Sequence, residues 1–294
     1  MALTGVVTGL MTGAGILLVL LALRDVFHTL LNPSGRGRIS VLVTSLVWWV
    51  CHRLGARAVR TSGPAAMAVV AVSWVGLVVT GWALVYWPHL ETGFSYSTDL
   101  EPARRNDAVD AFYVSVVTLT TLGFGDVVPT TTWLRLAAPV EGLIGFALLT
   151  AGVSWILEVY PALARRRAVA LLVDGLRRTR TAETLGELEP GTAAPLLGDL
   201  AAGIDQVRVD FTQYEVIYYF ADPRPSMSLA AMAPYALELS AAAREAGSTG
   251  VRHAGGMLDA ALDGLAEALD SGYLHTGGTT AEVLLAYGGA QSAG

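Results

Sequence analysis

The chain has 294 residues, of which 53% are hydrophobic and only 15% are charged, whereas a soluble domain carries about 25% charged residues. Its net charge of −6 argues against a nucleic-acid partner, and its single cysteine, Cys51, cannot form an internal disulfide. Because the long apolar runs lie in the first 160 residues, we expect an all-α membrane protein whose C-terminal part is a helical domain outside the bilayer.

The first apolar segment, Leu3–Leu23, contains no charged residue and is long enough to cross a bilayer, which takes about 20 apolar residues. Gly5, Gly9 and Gly13 recur there at every fourth position. A face of small residues permits close packing of membrane helices. The spacing therefore predicts contact with a second helix, unless the glycines reflect composition alone.

A shorter apolar run, Ile39–Cys51, lies between arginines on both sides and is too short to cross a bilayer comfortably. We interpret it as an amphipathic helix that lies in the membrane interface. The alternative is a fourth membrane span. Residues 1–64 are therefore expected to hold an N-terminal transmembrane helix followed by this interfacial helix.

Two further segments, Ala65–Trp87 and Leu134–Tyr160, are long enough to span. Trp82, Tyr86 and Trp87 cluster at the far end of the first of them, which is typical of the aromatic belt at a membrane surface. The chain is thus expected to cross the membrane three times.

Between these two spans, residues 110–121 form a short apolar stretch that ends in threonines. This predicts a helix whose C-terminal dipole offers partial negative charge to a cation. Residues 120–126 then read Thr-Thr-Leu-Gly-Phe-Gly-Asp. Gly123 and Gly125 permit dihedral angles that other residues adopt poorly, so successive carbonyl groups can turn to one side. A ring of such carbonyls can replace the water shell of a cation.

This loop resembles the filter of the potassium-channel pore family, whose pattern is Thr-Thr-Val-Gly-Tyr-Gly-Asp, with Leu122 and Phe124 as variants. The resemblance covers residues 65–161 and implies an outer helix, a pore helix, a filter and an inner helix. It implies a passive, potassium-selective channel of a prokaryotic type rather than an enzyme, with potassium ions in the filter and no other cofactor. Since a fourfold cage needs four loops and one chain carries one, it also implies a homotetramer.

The resemblance assigns roles residue by residue. Potassium ions are expected to bind the carbonyl groups of four residues: Thr121, Leu122, Gly123 and Phe124. The side chains of Leu122 and Phe124 should point away from the ions into the packing behind the filter. Four neighbours are expected to support this loop: Thr120, Gly125, Asp126 and Tyr113. The Tyr113 hydroxyl is expected to donate to Asp126, and plain packing of the ring is the alternative.

Two positions depart from the family pattern. Val117 stands where some members place a glutamate that pairs with the aspartate of the outer mouth, so no carboxylate pair can form here. Val128 stands where an aromatic ring can bind external quaternary ammonium ions. We therefore expect weak block by external tetraethylammonium.

The inner helix carries three candidate features. Gly145 matches the hinge position of the family and permits bending, with helix packing as the alternative. Glu141 is an intramembrane carboxylate and hence a functional candidate that supports the filter or reaches the outer interface. Helical spacing places four apolar residues on one face that we expect to line the pore and its gate, with lipid or helix packing as the alternative: Phe146, Leu149, Val153 and Leu157.

Charge predicts the orientation of the chain. Residues 24–60 hold six arginines and one aspartate, and Arg165–Arg167 follow the last span, so both regions should be cytoplasmic. The acidic segment from His89 to Asp110 should lie outside. A chain without lysine and rich in Ala, Gly and Val is typical of a GC-rich bacterial genome. We expect a multi-pass protein of the bacterial plasma membrane with a cytoplasmic C-terminal domain.

Residues 162–271 are expected to form that helical domain, and residues 272–294 a disordered tail. Helices are predicted at residues 196–220, 228–246 and 257–269, with glycines breaking the chain over residues 247–256. No nucleotide-binding motif or metal-ligand spacing occurs, so the sequence does not identify a gating stimulus. Two alternative functions stay open: a poorly selective cation channel on the same scaffold, and a pore regulated by a soluble partner of the C-terminal domain.

Overall fold

The computed structural model of the protein describes residues 2–30, 37–59, 61–97, 107–222 and 224–292. Nearly all of these residues are helical, so the protein is an all-α membrane protein. The chain folds into two compact units. The first unit comprises Met1–Val43 and Ala68–Ile156, and the second comprises Thr44–Met67 and Leu157–Gly294.

The helices up to residue 178 follow one another in the order of the predicted pore architecture. They are α1 (Ala2–Leu30), α2 (Arg38–Leu54), α3 (Ala56–Val59), α4 (Ser62–Tyr86), α5 (Leu90–Gly93), α6 (Asp107–Leu119) and α7 (Thr132–Arg178), with a 3-10 turn at Trp87–His89. Two short strands, β1 (Phe94–Tyr96) and β2 (Val127–Pro129), were not predicted, and they pair antiparallel with Ser95 opposite Val128.

Within the described ranges, α1, α4 and α7 contain the helical segments that are long and apolar enough to cross a membrane. They correspond to the three predicted spans. Helix α2 has 17 residues and reaches about 25 Å at about 1.5 Å per residue, which is short of a hydrocarbon core of about 30 Å. Its length favours the interfacial interpretation. Of the charges that predict orientation, Arg36, Arg60 and those in residues 98–106 lie outside the described residues.

Helices α1 and α4 approach each other closely at two glycines. A Cβ atom on Gly15 would lie 2.3 Å from the carbonyl oxygen of Gly81, and one on Gly81 would lie 2.7 Å from that of Gly15. The predicted packing face is wrong within this chain, since a Cβ atom on Gly5, Gly9 or Gly13 would meet no described atom within 4 Å. Small residues do join the helices, but at a different register.

The buried carboxylate of Asp25, near the end of α1, holds the start of α2. It accepts hydrogen bonds from the backbone N–H groups of Ile39 at 2.8 Å and Ser40 at 3.1 Å, which have no carbonyl partner inside the helix. The Ser40 hydroxyl donates to it at 2.5 Å, and the Trp74 indole of α4 donates at 2.9 Å. One carboxylate thereby joins α1, α2 and α4.

The second unit is a helical bundle. Its helices are α8 (Thr181–Thr184), α9 (Pro190–Gln213), α10 (Leu229–Glu245), α11 (Thr249–Leu269) and α12 (Thr280–Ser292), with 3-10 turns at Leu185–Glu187, Glu215–Tyr219 and Pro225–Met227 and a π-helical turn at Asp270–Leu274. Helix α11 packs on α9 and α10. Four leucines at helical spacing form its buried face: Leu258, Leu262, Leu265 and Leu269.

Two expectations for this bundle are wrong. The segment from residue 272 onward is not a disordered tail, because α12 forms there and buries Val283, Leu284 and Tyr287. The predicted break over residues 247–256 is too long, because the chain leaves the helical conformation only at residues 246–248, which include Gly247, and α11 begins at Thr249. A Cβ atom on Gly255 would lie 2.5 Å from the Cβ of Ala243. That glycine permits close packing of α11 on α10.

The three arginines after the last span are bound rather than free. Arg165 donates twice to Asp210 of α9, at 2.8 and 2.7 Å. Arg166 is fully buried and donates to the carbonyl groups of Ile217 and Phe220, at 2.7 Å each. Arg166 and Arg167 both bind Asp222, again at 2.7 Å each. These charges are internal ion pairs of the second unit, so they join α7 to the bundle.

Substitution of Gly15 by alanine tests the contact between α1 and α4. The added methyl group collides with the carbonyl of Gly81, and overpacking of this kind costs about 1–3 kcal/mol. Thermal unfolding of the purified protein in detergent should therefore show a lower midpoint. The matched control is Gly13→Ala, which meets open space and should leave the midpoint unchanged or raise it slightly. Equal midpoints for the two variants would refute the contact.

Candidate functional site

In the loop after α6, residues with left-handed backbone angles alternate with residues that are not left-handed. Thr121, Gly123 and Gly125 have φ angles of +57°, +54° and +79°, whereas Leu122 and Phe124, which lie between them, are not in the left-handed region. When left-handed and right-handed residues alternate, successive carbonyl groups point to the same side of the chain. Glycine adopts the left-handed angle without a steric cost, which explains the two glycines. The arrangement produces a row of carbonyl oxygens on one side of the loop.

The inner end of this row is set by the way α6 ends. The N–H of Thr121 donates to the carbonyl of Thr118, and the N–H of Leu122 donates to that of Val117, both at 3.0 Å. These two bonds, with a left-handed residue between them, form a Schellman motif. Thr121 is therefore both the helix cap and the first left-handed residue of the row. The left-handed angle strains the backbone of this threonine locally, whereas a glycine would adopt the angle without this strain.

The outer end of the row is held by Asp126. The Tyr113 hydroxyl of α6 donates to its carboxylate at 2.7 Å. The backbone carbonyl of Asp126 accepts from the N–H of Ser97 at 2.8 Å, next to the β1–β2 pair. The loop is thus fastened at both ends to elements on either side of it.

Glu141 lies behind α6 and is fully buried. The Ser115 hydroxyl of α6 donates to its Oε1 at 2.5 Å, and the Tyr86 hydroxyl of α4 donates to its Oε2 at 2.6 Å. The carboxylate therefore connects α4, α6 and α7. It does not reach the outer interface. Tyr86, which the sequence assigned to the aromatic belt, is also fully buried, so that assignment is wrong.

Sequence reasoning missed Tyr86 and Ser115 as partners of Glu141. A serine inside an apolar helix and a tyrosine at the end of a span are both ordinary in a membrane protein, and neither has a spacing that points to residue 141. A partner could be expected only from the rule that an intramembrane carboxylate needs hydrogen-bonding groups around it. That rule predicts a partner but does not choose one.

The side chains of Leu122 and Phe124 are 59% and 66% exposed. The described part of this chain covers less than half of either side chain, so it does not by itself supply the packing that was expected behind the loop. A cavity of about 170 Å³ lies behind the loop, lined in part by Tyr113, Val117 and Asp126. Val117 contributes an apolar wall there, where a glutamate would have contributed a second carboxylate.

The inner helix packs on the end of α6 through Gly145. A Cβ atom on this residue would lie 1.9 Å from the carbonyl oxygen of Leu119, so only glycine permits the approach. Helix α7 passes through Gly145 and Pro139 as one continuous helix. The close approach by itself accounts for this glycine. The four residues predicted to line the pore are each more than half exposed: Phe146, Leu149, Val153 and Leu157.

Comparison with known proteins gives two matches. Residues 68–160 match the model of a family described as "Ion channel". Over 169 residues, which make up 55% of the chain, the sequence is 28% identical to the uncharacterized membrane protein YdjJ of Bacillus subtilis (strain 168). The match spans about half of that relative, 48% of its length. No solved structure matches the chain.

Replacement of Glu141 by alanine tests its structural part in the site. The change leaves the Tyr86 hydroxyl without its acceptor, whereas the Ser115 hydroxyl keeps the carbonyl of Val79 at 3.1 Å, and a buried unsatisfied group costs about 1–3 kcal/mol. The unfolding midpoint in detergent should fall well below that of Glu91→Ala, which removes an exposed carboxylate.

The same contacts can be separated by a double-mutant cycle. Tyr86→Phe should cost less in the Glu141→Ala background than in the native chain, because the hydrogen bond is already lost there. Additive costs would mean that the two groups do not interact.

Proposed function

We propose that the ion channel domain at residues 68–160 forms a potassium-selective pore through which ions move passively. The observation that carries this proposal is the alternating hand of residues 121–125, which turns four successive carbonyl groups to one side. Potassium ions bind the carbonyl oxygens of Thr121, Leu122, Gly123 and Phe124. The Thr121 hydroxyl closes the innermost site.

The pore is a homotetramer in this proposal. A chain with one loop supplies a quarter of the ring that surrounds an ion, and closed rotational symmetry supplies the rest. The exposure of Leu122 and Phe124 supports it, because bulky apolar side chains next to a row of polar oxygens need covering and the described part of one subunit does not cover them. Neighbouring subunits do so in the tetramer.

The remaining site residues support or gate the filter. Tyr113 and Asp126 brace its outer end, and Glu141 fixes the pore helix between the outer and inner helices. Thr120 and Gly125 complete the loop at its two ends. The apolar face of α7 at Phe146, Leu149, Val153 and Leu157 lines the inner pore and gates it by dewetting, with Gly145 as the position at which α7 bends.

The orientation follows from the positive-inside rule. The arginine-rich stretch before α4 and the second unit lie in the cytoplasm, and the filter opens to the outside of the cell membrane. The ion pairs of Arg165, Arg166 and Arg167 support a part for the bundle in gating, because they attach it to the continuation of the pore-lining helix. In the alternative in which a soluble partner regulates the pore, that partner would act through this attachment.

A poorly selective cation channel is the second candidate. Leu122 replaces the usual valine of the filter pattern, and Val117 removes one polar support behind it. A filter with fewer braces tolerates a wider range of cation sizes. The two candidates differ in the ion that sets the reversal potential.

Reversal potentials of the purified protein in planar bilayers test the proposal. In opposed potassium and sodium gradients the potential should follow potassium and stay unchanged when sodium is varied. Potentials that follow both ions would favour the poorly selective channel, and absence of current would contradict both candidates. Gly125→Ala should abolish selective conduction, because alanine disfavours a φ of +79°. Gly76→Ala, in open space on α4, is the matched control and should conduct normally.

Block by external tetraethylammonium tests the tetrameric outer mouth. The native channel should be blocked weakly, because Val128 offers no aromatic face. Val128→Tyr would place one ring from each subunit around the mouth, and cation–π attraction of about 0.5–1 kcal/mol per ring or more should lower the blocking concentration at least tenfold. Val127→Tyr, one position away along the same strand, is the control. Equal block of both variants would contradict the assignment of the outer mouth.

A further inference from the structure

Helix α2 is amphipathic, but its large apolar side chains point away from the rest of the protein. In a helix of a soluble protein they would point inward. Its buried side chains are small or polar: Ser40, Thr44 and Cys51. Its exposed side chains are large and apolar: Leu42, Leu46, Trp49, Val50 and Leu54. These five recur at helical spacing and form one continuous face, which we call the outer face of α2. A helix that turns its apolar face away from its own protein is built to lie against something apolar.

The basic residues at the two ends of α2 give the outer face a positive charge at those ends. Arg38 begins the helix, and Arg53 and Arg57 lie at and just beyond its end, all three exposed. The guanidinium carbon of Arg53 lies 3.9 Å from the centre of the Trp49 ring, so the cation lies directly on the apolar surface. Residues 37–59 contain no acidic residue. The outer face is therefore apolar in the middle and only positive at its edges.

The opposite side of α2 is held firmly. Asp25 binds the first N–H groups of the helix. Trp48 packs on Tyr219 at 5.5 Å and Tyr218 at 6.2 Å between ring centres. These contacts all lie on the buried side of α2 and leave its outer face unoccupied.

We propose that the outer face of α2 is a docking surface for anionic phospholipid, with its apolar side chains among the acyl chains and Arg53 and Arg57 on the phosphate-bearing headgroups. Apolar residues between basic ends match the acyl and anionic layers of a charged leaflet. A zwitterionic lipid also offers a phosphate, but its own cation offsets that charge, so it attracts the arginines less than an anionic lipid does. The proposal does not depend on whether the pore conducts potassium.

Quenching of Trp49 fluorescence by brominated lipid tests this surface on the full-length chain. The protein is reconstituted into vesicles of phosphatidylcholine and phosphatidylglycerol at a ratio of roughly 4:1, with bromine on the acyl chains of one lipid or of the other. Subtraction of the Trp49→Phe variant isolates the signal of Trp49 from the other tryptophans. Per mole of brominated lipid, phosphatidylglycerol should quench Trp49 at least roughly twofold more than phosphatidylcholine.

The double variant Arg53→Gln/Arg57→Gln should lose this preference while Trp49 remains quenched by both lipids. The matched control, Arg178→Gln/Arg180→Gln, removes two exposed arginines elsewhere and should retain it. Equal quenching by the two lipids in the native protein would overturn the selectivity. Quenching by neither lipid would overturn the docking surface itself and show that protein covers Trp49.

Discussion

Backbone that is neither helix nor sheet is costly inside a membrane, because no water is present to satisfy its polar groups. In the proposed pore, the loop from Thr121 to Gly125 offsets this cost by turning its carbonyl oxygens to one side, where a cation can take the place of water. Such a loop persists only if the surrounding structure fixes both of its ends. The Schellman motif at Thr121 fixes the inner end, and the Tyr113–Asp126 hydrogen bond fixes the outer end.

The same requirement explains a buried carboxylate next to an apolar pore helix. Glu141 binds one hydroxyl from the outer helix and one from the pore helix, so the element that carries the loop cannot shift relative to its neighbours without leaving a buried polar group unsatisfied. Gly145 also holds α6 in place, but by close packing. Because it has no side chain, α7 can touch the end of α6. Polar bonding and close packing together place the loop.

A cluster of buried charged groups also holds the second unit together. Arg166 is fully buried among the carbonyl groups of the turn that follows α9 and the carboxylate of Asp222, and removal of one partner from such a cluster is strongly destabilising. The continuation of α7 is therefore an integral part of the bundle. Helix α2 also contributes to this unit through Trp48, while its opposite, apolar face remains open.

Much of this architecture was readable from the sequence because its causes are local. Helix lengths follow from the number of consecutive apolar residues, the left-handed angles at Gly123 and Gly125 follow from glycines at alternate positions, and Glu141 is recognisable as a lone carboxylate in an apolar segment. Two local readings were wrong. Glycines at regular spacing in α1 did not identify the contact, which lies at Gly15, and the small, mixed residues after position 272 concealed the buried face of α12.

The sequence by itself determined the three apolar helices that are long enough to span a membrane and the place of the glycine-rich loop, since each depends on the chemistry of neighbouring residues. Only the tertiary structure decided which groups satisfy the buried charges. Tyr86 and Glu141 are 55 positions apart and Trp74 and Asp25 are 49 apart, and no periodicity links such pairs. Their association arises from the packing of helices against one another, and a buried charge is stable only where that packing brings donors to it.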